Sequence, residues 1–200
     1  MSSRASLARR TAVALLAVVA LAGCQDDDGP AGPDGPDATP SQRADGSTAP
    51  GTVLAAGETA TVTRTAGAGT IEVTVLGIEQ GDPADLRAIG YERADEVTPY
   101  YLRVAVTPVS GSSPFQLDDY LRVWGGGRPL DHLTITRPFA PCQETAVGDG
   151  VLGERREHCL TYVRTSGEDD PDAAYFDNDD TYDPVDGTGI EWTLPAPGRA

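Results

Sequence analysis

Three cysteines, two histidines and a run of carboxylates are the residues of this 200-residue chain whose types and spacing suggest chemistry. The carboxylates crowd near the C-terminus: Glu168-Asp169-Asp170-Pro171-Asp172, then Asp177-Asn178-Asp179-Asp180, then Asp183 and Asp186. Calcium takes roughly six to eight oxygen ligands, and acidic side chains on one loop can supply them. Asp177, Asp179 and Asp183 are the candidate ligands, because Asp177-Asn178-Asp179 opens like a calcium-binding loop. Tyr182 then stands where such a loop needs Gly, and Thr188 where it needs Glu, so an EF-hand is excluded. Two readings remain: an irregular Ca²⁺ site at a loop tip, or a solvated acidic loop.

His132 and His158 each follow an acidic residue, Asp131 and Glu157. Two isolated histidines define no nucleophile-base pair, and no catalytic residue is assigned. All 15 basic residues are Arg. Without Lys there is no P-loop, no Schiff-base lysine and no Ser-x-x-Lys nucleophile. Gly-x-Ser-x-Gly and His-Glu-x-x-His are also missing. No organic cofactor is implied, and Ca²⁺ is the one inorganic candidate.

Cys24 has a different setting from the other two cysteines. Arg4, Arg9 and Arg10 precede it with no acid before Asp26, and Thr11 to Ala22 is an apolar run. That run is short for a membrane-spanning helix, which needs about 20 residues, and fits the core of an export signal. Leu21-Ala22-Gly23-Cys24 closes it and resembles the lipobox of bacterial prolipoproteins. The resemblance implies cleavage between Gly23 and Cys24, a diacylglyceryl thioether on the Cys24 sulfur, and an anchor on the outer side of the cell membrane. Two acyl chains hold stably where one binds reversibly. Arg9-Arg10 leaves twin-arginine export open beside general secretion.

Removing Arg4, Arg9 and Arg10 with the signal takes the net charge from −16 to −19. Such a chain repels nucleic acid, so no nucleic-acid partner is expected. Residues 25–52 consist mainly of Asp, Gly, Pro, Ser, Thr and Ala, and cannot bury enough apolar surface to offset ordering. Composition therefore divides the chain into a signal (1–23), a lipidated Cys with an Asp/Gly/Pro-rich linker (24–52), a folded domain (53–195) and a tail (196–200).

The folded part is read from its period. Ile71, Val73 and Val75 alternate with Glu72 and Thr74; Leu102, Val104 and Val106 with Tyr101, Arg103 and Thr107; Leu121 and Val123 with Tyr120 and Arg122; Leu133 and Ile135 with His132 and Thr134; Ile190, Trp192 and Leu194 with Glu191 and Thr193. Period two with β-branched and aromatic residues predicts strands with one buried face. Thr59 to Thr65 and Cys159 to Val163 are two weaker strands. Asp82-Pro83 is a helix start, with Asp82 as cap and Pro83 in the first turn. About seven short strands predict an all-β, antiparallel sandwich, with a small barrel as the alternative. In an exported chain Cys142 and Cys159 are read as a disulfide. Glu154-Arg155-Arg156-Glu157 is read as charge guarding a strand edge.

The Leu-Ala-Gly-Cys signal, the acidic Pro/Gly stalk, the strand Tyr100-Tyr101-Leu102-Arg103-Val104-Ala105-Val106-Thr107, the late Cys pair and Ile190-Glu191-Trp192 together resemble secreted immunoglobulin-like lipoproteins of Gram-positive bacteria. These include the immunoprotective extracellular type and related domains of unknown function. Pro108-Val109 departs from that pattern before Ser110-Gly111. The resemblance implies an immunoglobulin-like sandwich at the cell surface and supplies no catalytic residues. The reading is a monomeric, membrane-anchored, non-catalytic module for a protein or cell-envelope ligand. A calcium-dependent module and an envelope hydrolase of unrecognised type are the alternatives.

Overall fold

Four of the five alternating runs become strands, and the longest run becomes the longest strand. The structure, a computed structural model, describes residues 41–64, 69–111, 116–143, 151–178 and 181–199. The signal, Cys24, the first part of the linker and Asp179 lie outside the described residues. In chain order the strands are β1 (Val53–Ala55), β2 (Thr59–Thr63), β3 (Thr70–Gln80), β4 (Val97–Pro108), β5 (Leu121–Gly125), β6 (Arg128–Pro129), β7 (Asp131–His132), β8 (Arg156–Thr165), β9 (Ala173–Phe176), β10 (Ile190–Thr193) and β11 (Gly198–Arg199). One short helix, α1 (Pro83–Ala88), follows β3. Its cap is the one predicted: the Asp82 carboxylate accepts from the Ala84 N–H at 2.7 Å, with Pro83 in the first turn.

The strands form an all-β sandwich of two sheets. One sheet runs β1-β10-β9-β5-β6; the other runs β11-β3-β4-β8-β7, with β2 also paired to β3. Pairing is antiparallel except for β1 on β10 and β11 on β3. Period two places the apolar sets between the sheets. Leu54, Trp192, Ala174 and Val123 are cross-strand neighbours in the first sheet, as are Ile190, Phe176 and Leu121. They meet Ile71, Val73, Val75, Tyr100, Leu102, Val104, Leu160 and Tyr162 from the second. A bulge between Val75 and Gly77 absorbs one residue of β3, so Ile78 rather than Gly77 rejoins the inward set opposite Leu102.

Two expectations are corrected. The predicted one-sided burial fails for β4, because its outward residues Tyr101 and Ala105 are buried too. A second apolar cluster lies on the outer face of the β3-β4-β8 sheet: Leu86, Ala94, Val97, Tyr101, Ile135, Phe139, Cys142, Cys159 and Val163. The predicted strand through Leu133 and Ile135 is not formed either. β7 ends at His132, and after Leu133 donates its N–H to Thr161 the chain leaves the β8 edge. Ile135 and Phe139 turn down into the second cluster, and Pro138 and Pro141 have no N–H for a ladder. Residues 133–143 thus form an irregular strap across the sheet.

The ordered contacts also begin earlier than the composition of residues 24–52 suggests. Thr48 donates its N–H to Thr61 and accepts from the Thr61 N–H through its hydroxyl. Ser47 and Thr48 are buried, and the Tyr182 hydroxyl donates to the Thr48 carbonyl at 2.9 Å. Paired backbone, rather than apolar side chains, holds this segment, and composition carries no signal of that.

Candidate functional site

The acidic segment is divided by β9, whose four residues separate its halves by about 13 Å at roughly 3.3 Å per residue. On one side, Glu168 accepts from the Thr165 N–H at 2.6 Å. Asp170 accepts from the Tyr100 hydroxyl at 2.6 Å and pairs with Arg164 at 2.8 Å. Asp172 accepts from the Gly126 N–H at 3.2 Å. On the other side, Asp177 faces the Arg122 guanidinium at 3.7 Å. Asp183 folds onto its own loop, accepting from the Val185 N–H at 2.7 Å and from the Asp186 N–H at 3.4 Å. Among the described residues, no group of three or more His, Cys, Asp or Glu is placed to hold a metal ion.

Tertiary structure therefore gives Glu168, Asp170, Asp172, Asp177 and Asp183 partners on their own loops, on the Gly126 N–H or on an Arg or Tyr. The Glu168 carboxyl is held below the ordinary carboxylate range, first by its hydrogen bonds to Thr165. The Tyr100 and Tyr101 hydroxyls are pushed well up by burial and then by donation to Asp170 and Asp85. Tyr175 rises to about 12, from burial first and its bond to Glu191 second. Folded pKa values above the unfolded value of about 10 mean that these tyrosines stabilise the protein fully below pH ~10. That contribution is lost as pH climbs through the folded values. Stability should be level from neutral pH to about 10 and fall steeply beyond it. A denaturant midpoint that declines already between pH 8 and 9, or holds beyond 12, would contradict this.

The histidines stay apart. His132 sits on β7 with Nδ1 3.5 Å from an Asp118 oxygen and its ring edge-on to Tyr162. His158 is buried on the inner face of β8, opposite Val104. Ser47 bonds Asp45, and Ser110 accepts from the Thr70 N–H. The expected disulfide is present: Cys142 and Cys159 are bonded, with Cα atoms 5.3 Å apart. It joins the strap to β8 and closes a loop whose cross-link is worth about 3 kcal/mol on the chain-entropy model.

Strand periodicity could not identify how far each outer sheet face is covered. On the outer face of the β1-β10-β9-β5-β6 sheet Val53 is exposed, Glu191, Tyr175, Arg122 and Trp124 are half-buried and Ala173 is buried. The register puts Val53, Glu191, Tyr175 and Arg122 in one row across it, and Thr193, Ala173 and Trp124 in the next. The Trp124 and Tyr175 rings meet at 5.2 Å, and the Tyr175 hydroxyl donates to Glu191 at 3.0 Å. Cross-strand aromatics of this kind brace a sheet and also offer amphipathic contact area.

No family model matches this chain, and no curated protein matches it. Two solved structures are similar. MPT63, a secreted protein of Mycobacterium tuberculosis, is 15% identical, with a TM-score of 0.47 over 70% of this chain and 95% of that one. The candidate lipoprotein YcdA of Bacillus subtilis is 14% identical, with a TM-score of 0.41 over 63% of this chain and 36% of that one. Neither likeness bears on function. No helix among the described residues is long and apolar enough to cross a membrane.

Proposed function

We propose that this chain is a lipid-anchored, non-catalytic binding module carried on the outer side of the cell membrane. The observation that carries the location is Leu21-Ala22-Gly23-Cys24 behind an Arg-bearing apolar run. The non-catalytic part is supported by how the described carboxylates are used: Glu168, Asp170, Asp172, Asp177 and Asp183 each close a loop or pair with an Arg. The half-exposed aromatic pair Trp124 and Tyr175 on the outer sheet face is where contact with a protein or envelope ligand would be sought. Intact mass of the membrane fraction tests the anchor. The wild-type chain should begin at Cys24 and carry a diacylglyceryl group, and Cys24→Ala should abolish both the added mass and membrane retention. A wild-type chain recovered free and unmodified would overturn the anchor.

The calcium reading is tested separately. Asp177 and Asp183 already face an Arg and their own loop, so filling a site would need both to be redirected. Saturating a site raises stability by about 2.7 kcal/mol at a hundredfold excess over Kd, which is several degrees in Tm. The expected result is no shift in Tm between millimolar Ca²⁺ and a chelator. A rise of several degrees would restore the calcium-dependent module.

A further inference from the structure

We propose that the Cys142–Cys159 bond latches a separable cover: when a dithiol reductant opens it, the strap 133–143 leaves the outer face of β4 and β8 while the sandwich stays folded. The two apolar clusters share no residue, and the β3-β4-β8 sheet lies between them. Both cysteines belong to the outer cluster. Opening the bond therefore removes support from the strap and leaves the packing between the sheets in place.

Apart from the disulfide, the strap is held by the packing of Leu133, Ile135 and Phe139 in the outer cluster more than by hydrogen bonds. Leu133 bonds Thr161 at its start. From there to Gln143 no described main-chain bond ties it to a strand. Among the described residues, Arg103 donates to the Pro141 carbonyl at 2.9 Å, and Arg137 donates to the Ile89 carbonyl at 2.8 Å. The Phe139 ring meets Tyr101 edge-on at 5.8 Å. By contrast, β4 pairs with β3 and β8 along nearly its whole length. Elements with few backbone bonds to the rest open first and on their own.

In the chemistry of the switch, a thiolate of the reductant attacks one cysteine sulfur and forms a mixed disulfide. The second reductant thiol then displaces the remaining cysteine sulfur. The reductant leaves as a disulfide, and Cys142 and Cys159 each take up a proton as thiols. Cys142 and Cys159 are 1% and 4% exposed, so the strap must lift before either sulfur is reached. Reduction then traps the lifted state. Release would uncover Tyr101, Val97 and Val163, the apolar outer face of β4 and β8.

Hydrogen exchange of the mature Cys24→Ser chain, oxidised and after dithiothreitol, tests this, with thiol titration confirming two new thiols. Peptides from 133–143 should exchange at least ~10-fold faster once reduced, with α1 following in part, while β3, β5 and β10 keep their protection. The double variant Cys142→Ser/Cys159→Ser should give the same pattern, and stands in for the reduced chain if the bond resists dithiothreitol. Unchanged exchange in 133–143 would mean that packing alone holds the strap. Loss of protection in β3, β5 and β10, or a double variant that does not fold, would mean that the bond holds the whole domain. Either result overturns the proposal.

Discussion

Replacing Trp192 with Ala is expected to remove about 4 kcal/mol of stability, a large share of the roughly 5–15 kcal/mol that keeps a domain folded. Trp192 is fully buried on β10 between Leu54 and Ala174, at the centre of the packing between the sheets. Its small neighbour Ala174 cannot fill the space left behind, so most of the volume becomes cavity. Its indole N–H also donates to the Glu58 carbonyl at 3.0 Å. Glu58 lies in the turn between β1 and β2, where its N–H bonds the Ala55 carbonyl. The variant therefore loses packing and a tie between the two sheets together. Trp192→Phe keeps much of the volume but not the donor, and should lose about half as much. Urea unfolding followed by circular dichroism measures both. A loss under about 1 kcal/mol for the Ala variant would show that the core re-closes around the gap.

The second large effect is expected at Asn178. Among the described residues, this buried side chain's amide donates to the Thr63 carbonyl at 3.0 Å, and its oxygen accepts from the Thr181 and Tyr182 N–H groups at 2.9 and 3.0 Å. It fastens the loop after β9 to the end of β2, on the opposite sheet. Asn178→Ala strands buried donors and an acceptor, and should lose about 2–3 kcal/mol. Asn178→Asp separates the contributions. The new carboxylate would still accept from both N–H groups but would face the Thr63 carbonyl with no proton to give. Burial and that carbonyl raise its folded pKa above the unfolded value of about 3.9. The penalty is then present above the folded pKa and relieved as pH falls through it. Relative to wild type, the Asp variant should regain stability on acidification, whereas the Ala variant should not. Parallel losses at all pH values would show that Thr63 plays no part.

Some of this was readable directly from residue types. Asp82-Pro83 started a helix because its cap is a local bond between neighbours. The inward sets Leu102, Val104, Val106 and Ile190, Trp192 were right because period two is a property of each strand alone. The Cys142–Cys159 bond agrees with the pairing expected for an exported chain. Residue spacing alone could not show how the acidic segment, nine carboxylates within nineteen positions, is arranged in space. A strand inserted among them sent Asp170 to Tyr100 and Arg164, and Asp177 to Arg122.

The sequence by itself determined β2, β3, β4, β5, β8 and β10, their inward sets and the capped helix, because each depends on neighbours a few residues apart. Tertiary structure alone decided that β4 is buried on both faces, that 133–143 is a strap rather than a strand, and that Trp124 meets Tyr175 on the outer face of the other sheet. Those outcomes depend on which distant segment arrives to cover an outward residue. Tyr101 looks solvent-facing by period, and becomes core only because α1 and the strap close over it.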